Sequence, residues 1–150
     1  MAKLQFTVEI QAPPDRVAVF FVPQRMPYWY GAEMNAEFEV QGGAADFQTG
    51  LKVRITGRVG RREVSLTAVV TQHDWGRVLE WRFQDAYGVR GMQRWEMEPA
   101  AGGTCVRMRD EYEVPGRFGR IWDALVMRHA VARRDRGWLA RLKRFAESVP

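Results

Sequence analysis

Residues 104–147 have the sequence TCVRMRDEYEVPGRFGRIWDALVMRHAVARRDRGWLARLKRFAE, and the period of its apolar residues changes partway along. In residues 104–114 apolar and polar side chains alternate, which is typical of a half-buried β-strand. Pro115 and Gly116 end this strand, since proline lacks a backbone donor and glycine favours a turn. In residues 117–147 the apolar positions recur every three or four residues, which predicts one long helix.

The alternating pattern recurs along the chain before this stretch. A proline-containing segment, residues 12–31, follows the first strand and predicts two short helices. Short turns between the later strands indicate an antiparallel meander. The predicted strands cover residues 4–10, 37–41, 51–59, 64–70, 79–83 and 88–98. The sequence therefore predicts a single α+β domain over residues 1–150, with a curved six- to seven-stranded antiparallel sheet around a long C-terminal helix.

Composition excludes several classes of protein. The chain has 150 residues, 46% of them hydrophobic and 27% charged, as in an ordinary globular domain. A single cysteine, Cys105, excludes an internal disulfide, and two histidines make a zinc site unexpected. The N-terminus has no run of signal-peptide character, and no stretch approaches the ~20 apolar residues that span a bilayer. We therefore expect a soluble, cytoplasmic protein without a metal or cofactor.

Positive charge is concentrated in the predicted helix. The net charge is +5, and residues 117–147 hold nine basic and three acidic side chains, against fourteen and fifteen elsewhere. A solvated helix face is the simplest interpretation. The alternative is a docking surface for an anionic membrane or RNA, of which nucleic acid is the less favoured, or a contact in a homodimer.

The predicted helix has two apolar faces, and the sequence does not decide which of them is buried. One face holds Phe118, Ile121, Trp122, Leu125, His129 and Ala132. The other holds Ala124, Met127, Val131, Trp138, Leu142 and Phe145. A kink near Gly137 would reconcile them, as would a helix whose two faces meet different surfaces.

Three polar residues fall on positions predicted to face the interior. Asp110 alternates with the apolar residues of its strand, Gln93 does the same in residues 88–98, and His129 lies on the first apolar face of the helix. A buried carboxylate without a partner costs several kcal/mol. These groups therefore form a satisfied internal network or the polar end of a ligand pocket, unless the strand register differs by one residue.

Several short motifs, taken in order, resemble a known superfamily. They are Ala12-Pro13-Pro14-Asp15-Arg16-Val17 after the first strand, Trp29 in the following loop, Leu79-Glu80-Trp81, Trp95-Glu96-Met97-Glu98-Pro99 followed by Gly102-Gly103-Thr104, and the long helix after Pro115-Gly116. With these features, the chain resembles the START-like or Bet v 1-like (helix-grip) superfamily, and within it the bacterial polyketide cyclase/dehydrase and lipid-transport (SRPBCC) group. The resemblance implies an internal hydrophobic cavity between the sheet and the last helix.

The resemblance and the inward-facing residues together favour binding or transport of a small hydrophobic ligand such as a lipid, quinone or polyketide. We expect the ligand-binding residues to be Trp29, Tyr30, Phe83, Gln93, Trp95, Met108, Phe118, Trp122 and Leu125. A cyclase or aromatase is the enzymatic alternative, with Asp110, His129 and Tyr112 as acid or base groups. No nucleophile or phosphate-binding motif is present.

Overall fold

A computed structural model describes residues 1–116 and 118–148, without the side chains at positions 120 and 124. Seven antiparallel strands form one sheet in the order β1-β7-β6-β5-β4-β3-β2. The strands are β1 (Ala2–Ile10), β2 (Glu37–Val40), β3 (Lys52–Val59), β4 (Arg62–Asp74), β5 (Val78–Asp85), β6 (Arg90–Ala100) and β7 (Gly103–Glu113). This arrangement confirms the predicted helix-grip fold.

Short helices connect β1 to β2, as the prolines predict. Helix α1 (Pro14–Ala18) has proline at its first turn and buries Val17 and Ala18. Two 3-10 turns follow, Met26–Tyr28 and Ala32–Met34, and a third, Gln41–Gly43, comes after β2. Together these turns cover one end of the sheet and bring Trp29 and Tyr30 into the core.

The C-terminal helix is continuous but contains a wider turn. It comprises α2 (Gly119–Trp122), a π-helical segment (Asp123–Met127) and α3 (Arg128–Ser148). The irregularity lies in the π segment, whereas Gly137 is inside α3, so the predicted kink at Gly137 is not where the helix changes. None of the described helices is long and apolar enough to cross a bilayer.

Two apolar clusters fill the space between sheet and helix. The larger one is aromatic, and its rings meet mostly edge to face, with Trp81 and Trp95 centroids 5.1 Å apart. The smaller one contains Ala2, Val89, Tyr112 and Val131. Bulky aromatic rings occupy much of this space, and a pocket whose wall contains residues of both clusters lies beside them.

Candidate functional site

An internal cavity of about 100 Å³ lies between the sheet and α3. Its apolar wall is formed by Met34, Val64, Leu66, Phe83, Val89, Met127, Val131 and Trp138. Its polar wall is formed by Tyr30, Glu33, Asp85, Gln93, Asp110, Tyr112 and Arg134. An apolar hollow with a few convergent polar groups is the usual composition of a small-molecule site.

The strand register places one row of polar groups across the floor of the cavity. Gln93 on β6 is paired with Trp81 on β5 and with Asp110 on β7. The Gln93 Oε1 atom accepts hydrogen bonds from Trp81 Nε1 at 2.9 Å and from the Tyr30 hydroxyl at 2.7 Å. Burial raises the pKa of Tyr30 above its ordinary value, so its hydroxyl stays neutral and acts as a donor.

The row ends in an ionic cluster that joins β7 to α3, here named the acid–arginine cluster (Asp110, Arg134 and Asp135), in which the Arg134 side chain is 36% exposed. Arg134 Nη2 lies 3.1 Å from Asp110 Oδ2 and 3.1 Å from Asp135 Oδ1. The two carboxylic acids are almost fully buried, at 1% and 0% exposure. The guanidinium also packs over the Trp138 ring, 4.4 Å from its centroid.

If both carboxyl groups were ionised, the single Arg134 cation would leave one buried negative charge uncompensated. The charges balance only if one of the two acids keeps its proton. Burial, and then hydrogen-bond contact with Asp110, raise the pKa of Asp135 to about 9. Asp110 Oδ1 and Asp135 Oδ2 have no other partner within the described residues. Near pH 7 a protonated Asp135 leaves one fewer negative charge beside Arg134.

A second polar contact attaches the π segment to the sheet. The Tyr112 hydroxyl donates a hydrogen bond to Asp123 Oδ1, and Arg128 Nη2 lies 3.5 Å from Asp123 Oδ2. Burial and the neighbouring Asp123 carboxylate raise the pKa of Tyr112. This contact holds the wider helical turn over the cavity, next to Met127.

The structure brings several of the predicted site residues together. Tyr30, Phe83, Gln93, Asp110 and Tyr112 all line the cavity. Trp29, Trp95 and Met108 are buried, as expected of inward-facing residues, but they belong to the aromatic cluster and do not line the cavity. Trp29 is held there by a 2.8 Å hydrogen bond from its Nε1 to the Phe20 carbonyl.

The inward orientation predicted for four helix residues is wrong. Phe118, Trp122 and Leu125 are exposed by 76%, 56% and 71%, and His129 is also exposed. The opposite face is buried instead, through Val131, Asp135, Trp138, Leu139, Leu142 and Ala146. Helical spacing from the buried Val131 leads back to Met127, so the aromatic face lies on another side of the helix and points away from the sheet.

Arg134 and Asp135 were not predicted as site residues from the sequence, because they lie in the charged run Arg133-Arg134-Asp135-Arg136. Such a run resembles a solvated surface, yet Asp135 stands four residues after Val131 and three before Trp138 on the buried face. That spacing is the signal that identifies it. Glu33 was also missed, and its Oε2 accepts a 2.8 Å hydrogen bond from Trp138 Nε1.

Solved structures share this fold at low sequence identity. Protein CV1439 from Chromobacterium violaceum has a TM-score of 0.72 at 14% identity, with 98% of this chain and 99% of that chain covered. Ara h 8.0201 has a TM-score of 0.72 at 10% identity, with 97% of both chains covered. DynU16, from the dynemicin biosynthetic locus, has a TM-score of 0.68 at 20% identity, with 97% of this chain and 47% of that chain covered.

No curated protein matches the chain in sequence. A family model described as "Polyketide cyclase / dehydrase and lipid transport" matches residues 1–147. Its match extends from β1 to the last turn of α3 and therefore includes every element that builds the cavity. The chain thus belongs to the polyketide cyclase / dehydrase and lipid transport family, within the START-like superfamily of helix-grip folds.

Proposed function

We propose that the protein binds a small, mainly apolar molecule in the cavity, with a neutral oxygen-containing group directed toward the acid–arginine cluster. The observation that carries this proposal is the division of the cavity into an apolar wall and a polar wall. An apolar body and one polar end are the features that such a site recognises.

The chemistry of the polar wall narrows the class of ligand. Arg134 uses Nη2 and Nε for the two carboxyl groups, and its Nη1 has no hydrogen bond to the described residues. Nη1 can therefore donate to a ligand oxygen. Because the Arg134 guanidinium is already paired with two buried carboxyl groups, a neutral ketone, ester, quinone or phenol oxygen fits better than a carboxylate or phosphate.

The size of the cavity sets a further condition. About 100 Å³ is well below the roughly 300–1,000 Å³ of typical ligand pockets. A volume of this size admits only a few heavy atoms, so a larger ligand requires the walls to move. Met34 and Met127 in the wall have flexible side chains. In the neighbouring π segment, Leu125 and Val126 are exposed and do not pack against the sheet. We therefore expect this wall to move when a larger ligand binds.

A graded set of neutral phenols and naphthols tests the binding proposal. Titration followed by ¹H–¹⁵N NMR should shift the side-chain signals of Trp81 and Trp138, and 2-naphthol should bind more tightly than phenol because it buries more apolar area. Phe83→Trp should abolish these shifts by filling the cavity. Phe38→Trp is the matched control, since Phe38 is also half-buried but does not line the cavity.

Two outcomes would contradict the proposal. One is that no member of the series perturbs the cavity residues of the wild-type protein. The other is that Phe83→Trp, with an unchanged melting temperature, binds the probes as well as Phe38→Trp does.

Proton transfer to a bound ligand is the second candidate, as in a cyclase or dehydrase. It is favoured by the raised pKa of Asp135, which places a protonated carboxyl group in the same cluster as Asp110, a residue that lines the cavity. In this case Asp110→Asn should retain ligand binding and abolish conversion of an enolisable ketone, measured as loss of deuterium exchange at its α-carbon. Equal exchange in Asp110→Asn and wild type would contradict the enzymatic candidate and leave the binding proposal standing.

A further inference from the structure

We propose that the outer surface of the helix from Phe118 to Val126 docks on an anionic lipid bilayer. This surface, here named the apolar cap, consists of Phe118, Ile121, Trp122, Leu125 and Val126, with exposures of 76%, 57%, 56%, 71% and 46%. Large contiguous apolar patches are rare on monomeric proteins and mark interaction sites.

Two further exposed side chains extend the apolar cap. Met1 is 68% exposed and Tyr87 is 53% exposed. Met1, Gly88 and Gly119 line one shallow groove, so the N-terminus and the β5–β6 turn lie beside the start of the helix. An aromatic ring, a methionine and the five cap residues therefore share one end of the molecule.

The charge of the same helix complements an anionic surface. On α3 the exposed Arg133 and Arg144 form no ion pair with the described residues, whereas the Arg136 guanidinium lies over the Phe6 ring of β1, 5.2 Å from its centroid. The acidic residues of the helix do not offset them. Asp123 and Asp135 are buried, and Glu147 Oε2 lies 2.7 Å from Lys143 Nζ.

A bilayer fits this surface better than the other macromolecules that bind apolar or basic patches. A second copy would bring two arginine-rich helices face to face, and like charges repel. RNA would use the arginines and could stack on Trp122, but it offers nothing to Ile121, Leu125 and Val126. A lipid interface accepts the aromatic and aliphatic side chains and pairs the arginines with anionic headgroups.

The apolar cap and the cavity are two sides of one helical segment. Met127 and Val131 line the cavity from within, while Leu125 and Val126 point outward a fraction of a turn earlier. A docked helix would thus place the cavity wall next to the lipid. Delivery of a ligand by this route rests on the proposed function, whereas docking itself requires no ligand.

Flotation with lipid vesicles tests the docking surface on the ligand-free protein. Vesicles of phosphatidylcholine with about 30% phosphatidylglycerol should bind the protein, and those of phosphatidylcholine alone should bind it weakly. Trp122→Ser should reduce binding about tenfold or more, because the indole is the largest apolar group of the cap. Arg133→Gln should reduce it about fivefold, the equivalent of about 1 kcal/mol, and raising NaCl to about 500 mM should weaken it further.

The chain offers matched controls for both variants. Trp75 is 48% exposed but lies beside Pro99, at the opposite end of β6 from Arg90 and the cap. Trp75→Ser and Arg54→Gln, the latter on an exposed position of β3, should leave vesicle binding unchanged.

Three outcomes would overturn the proposal. The first is absence of binding to anionic vesicles, and the second is equal loss of binding in Trp122→Ser and Trp75→Ser. The third applies if the protein does not float with vesicles and the cap has another partner. That partner would be a second copy if Leu125→Ser dissociates a dimer, or RNA if Trp122→Ser abolishes RNA binding. Phenol titrations without lipid test the cavity separately, so failure of one proposal is distinguishable from failure of the other.

Discussion

Replacing Asp135 by asparagine should remove a pH dependence of stability that the acid–arginine cluster creates. In the wild-type protein this carboxyl group has its pKa raised from 3.8 to about 9 by burial and by contact with Asp110. The asparagine amide can donate a hydrogen bond in place of the protonated carboxyl group, and its oxygen can accept from Arg134. The variant keeps the contacts and loses the titration.

The direction in which stability changes with pH depends on whether the folded or the unfolded state binds the proton more tightly. The folded protein keeps Asp135 protonated at pH values where the unfolded chain has already ionised it. Its contribution is therefore fully present below the unfolded pKa of 3.8 and declines as the pH rises toward about 9. One proton of difference corresponds to about 1.4 kcal/mol per pH unit, so the wild type should lose up to about 3 kcal/mol between about pH 6.5 and about pH 8.5.

Urea denaturation followed by tryptophan fluorescence, over this pH range, measures the effect. The range lies above the region where His73 contributes, because burial lowers the pKa of His73 below 6.5. The free energy of unfolding of Asp135→Asn should rise relative to wild type as the pH increases. Glu39→Gln, at an exposed position of β2, should remain parallel to wild type. Parallel curves for wild type and Asp135→Asn would refute the raised pKa of Asp135.

Four other substitutions have expected outcomes. Arg134→Met should cost about 1–3 kcal/mol in urea denaturation, because it removes the hydrogen-bond donor of two buried carboxyl groups, and an unchanged midpoint would contradict the cluster. Gly91→Ala should destabilise the protein by more than about 2 kcal/mol, since its Cβ would stand 1.9 Å from the Glu111 carbonyl oxygen. Gly137→Ala should instead stabilise the protein by about 0.5–1 kcal/mol, because Gly137 lies inside α3 with open space around it. His129→Ala should change the affinity for 2-naphthol less than twofold, as NMR titration would show, because this side chain lies outside the cavity.

Alternation within the strands was sufficient to predict which strand residues face the interior. Gln93, Asp110 and Tyr112 were placed correctly, because a period of two leaves only one choice of face once the apolar set is known. For the helix, the spacing of apolar residues did not identify the buried face. Both of its faces carry tryptophan and leucine, so their spacing alone favoured neither face.

The size of the cavity could not be predicted from the sequence either. A list of inward-facing aromatic residues does not reveal whether their rings leave space. Trp29, Trp81 and Trp95 pack edge to face and fill one half of the interior, and the remaining volume depends on their side-chain rotamers.

Local sequence determined the strands, the turns, the long helix and the concentration of arginines along it, because each depends on residues that are close neighbours in the chain. Tertiary structure decided which helical face is buried and which cation meets Asp110. Arg134 lies 24 residues from Asp110, and only the packing of α3 across β7 joins them. That contact follows from the side on which α3 packs, which the spacing of apolar residues alone does not decide because both helical faces are apolar.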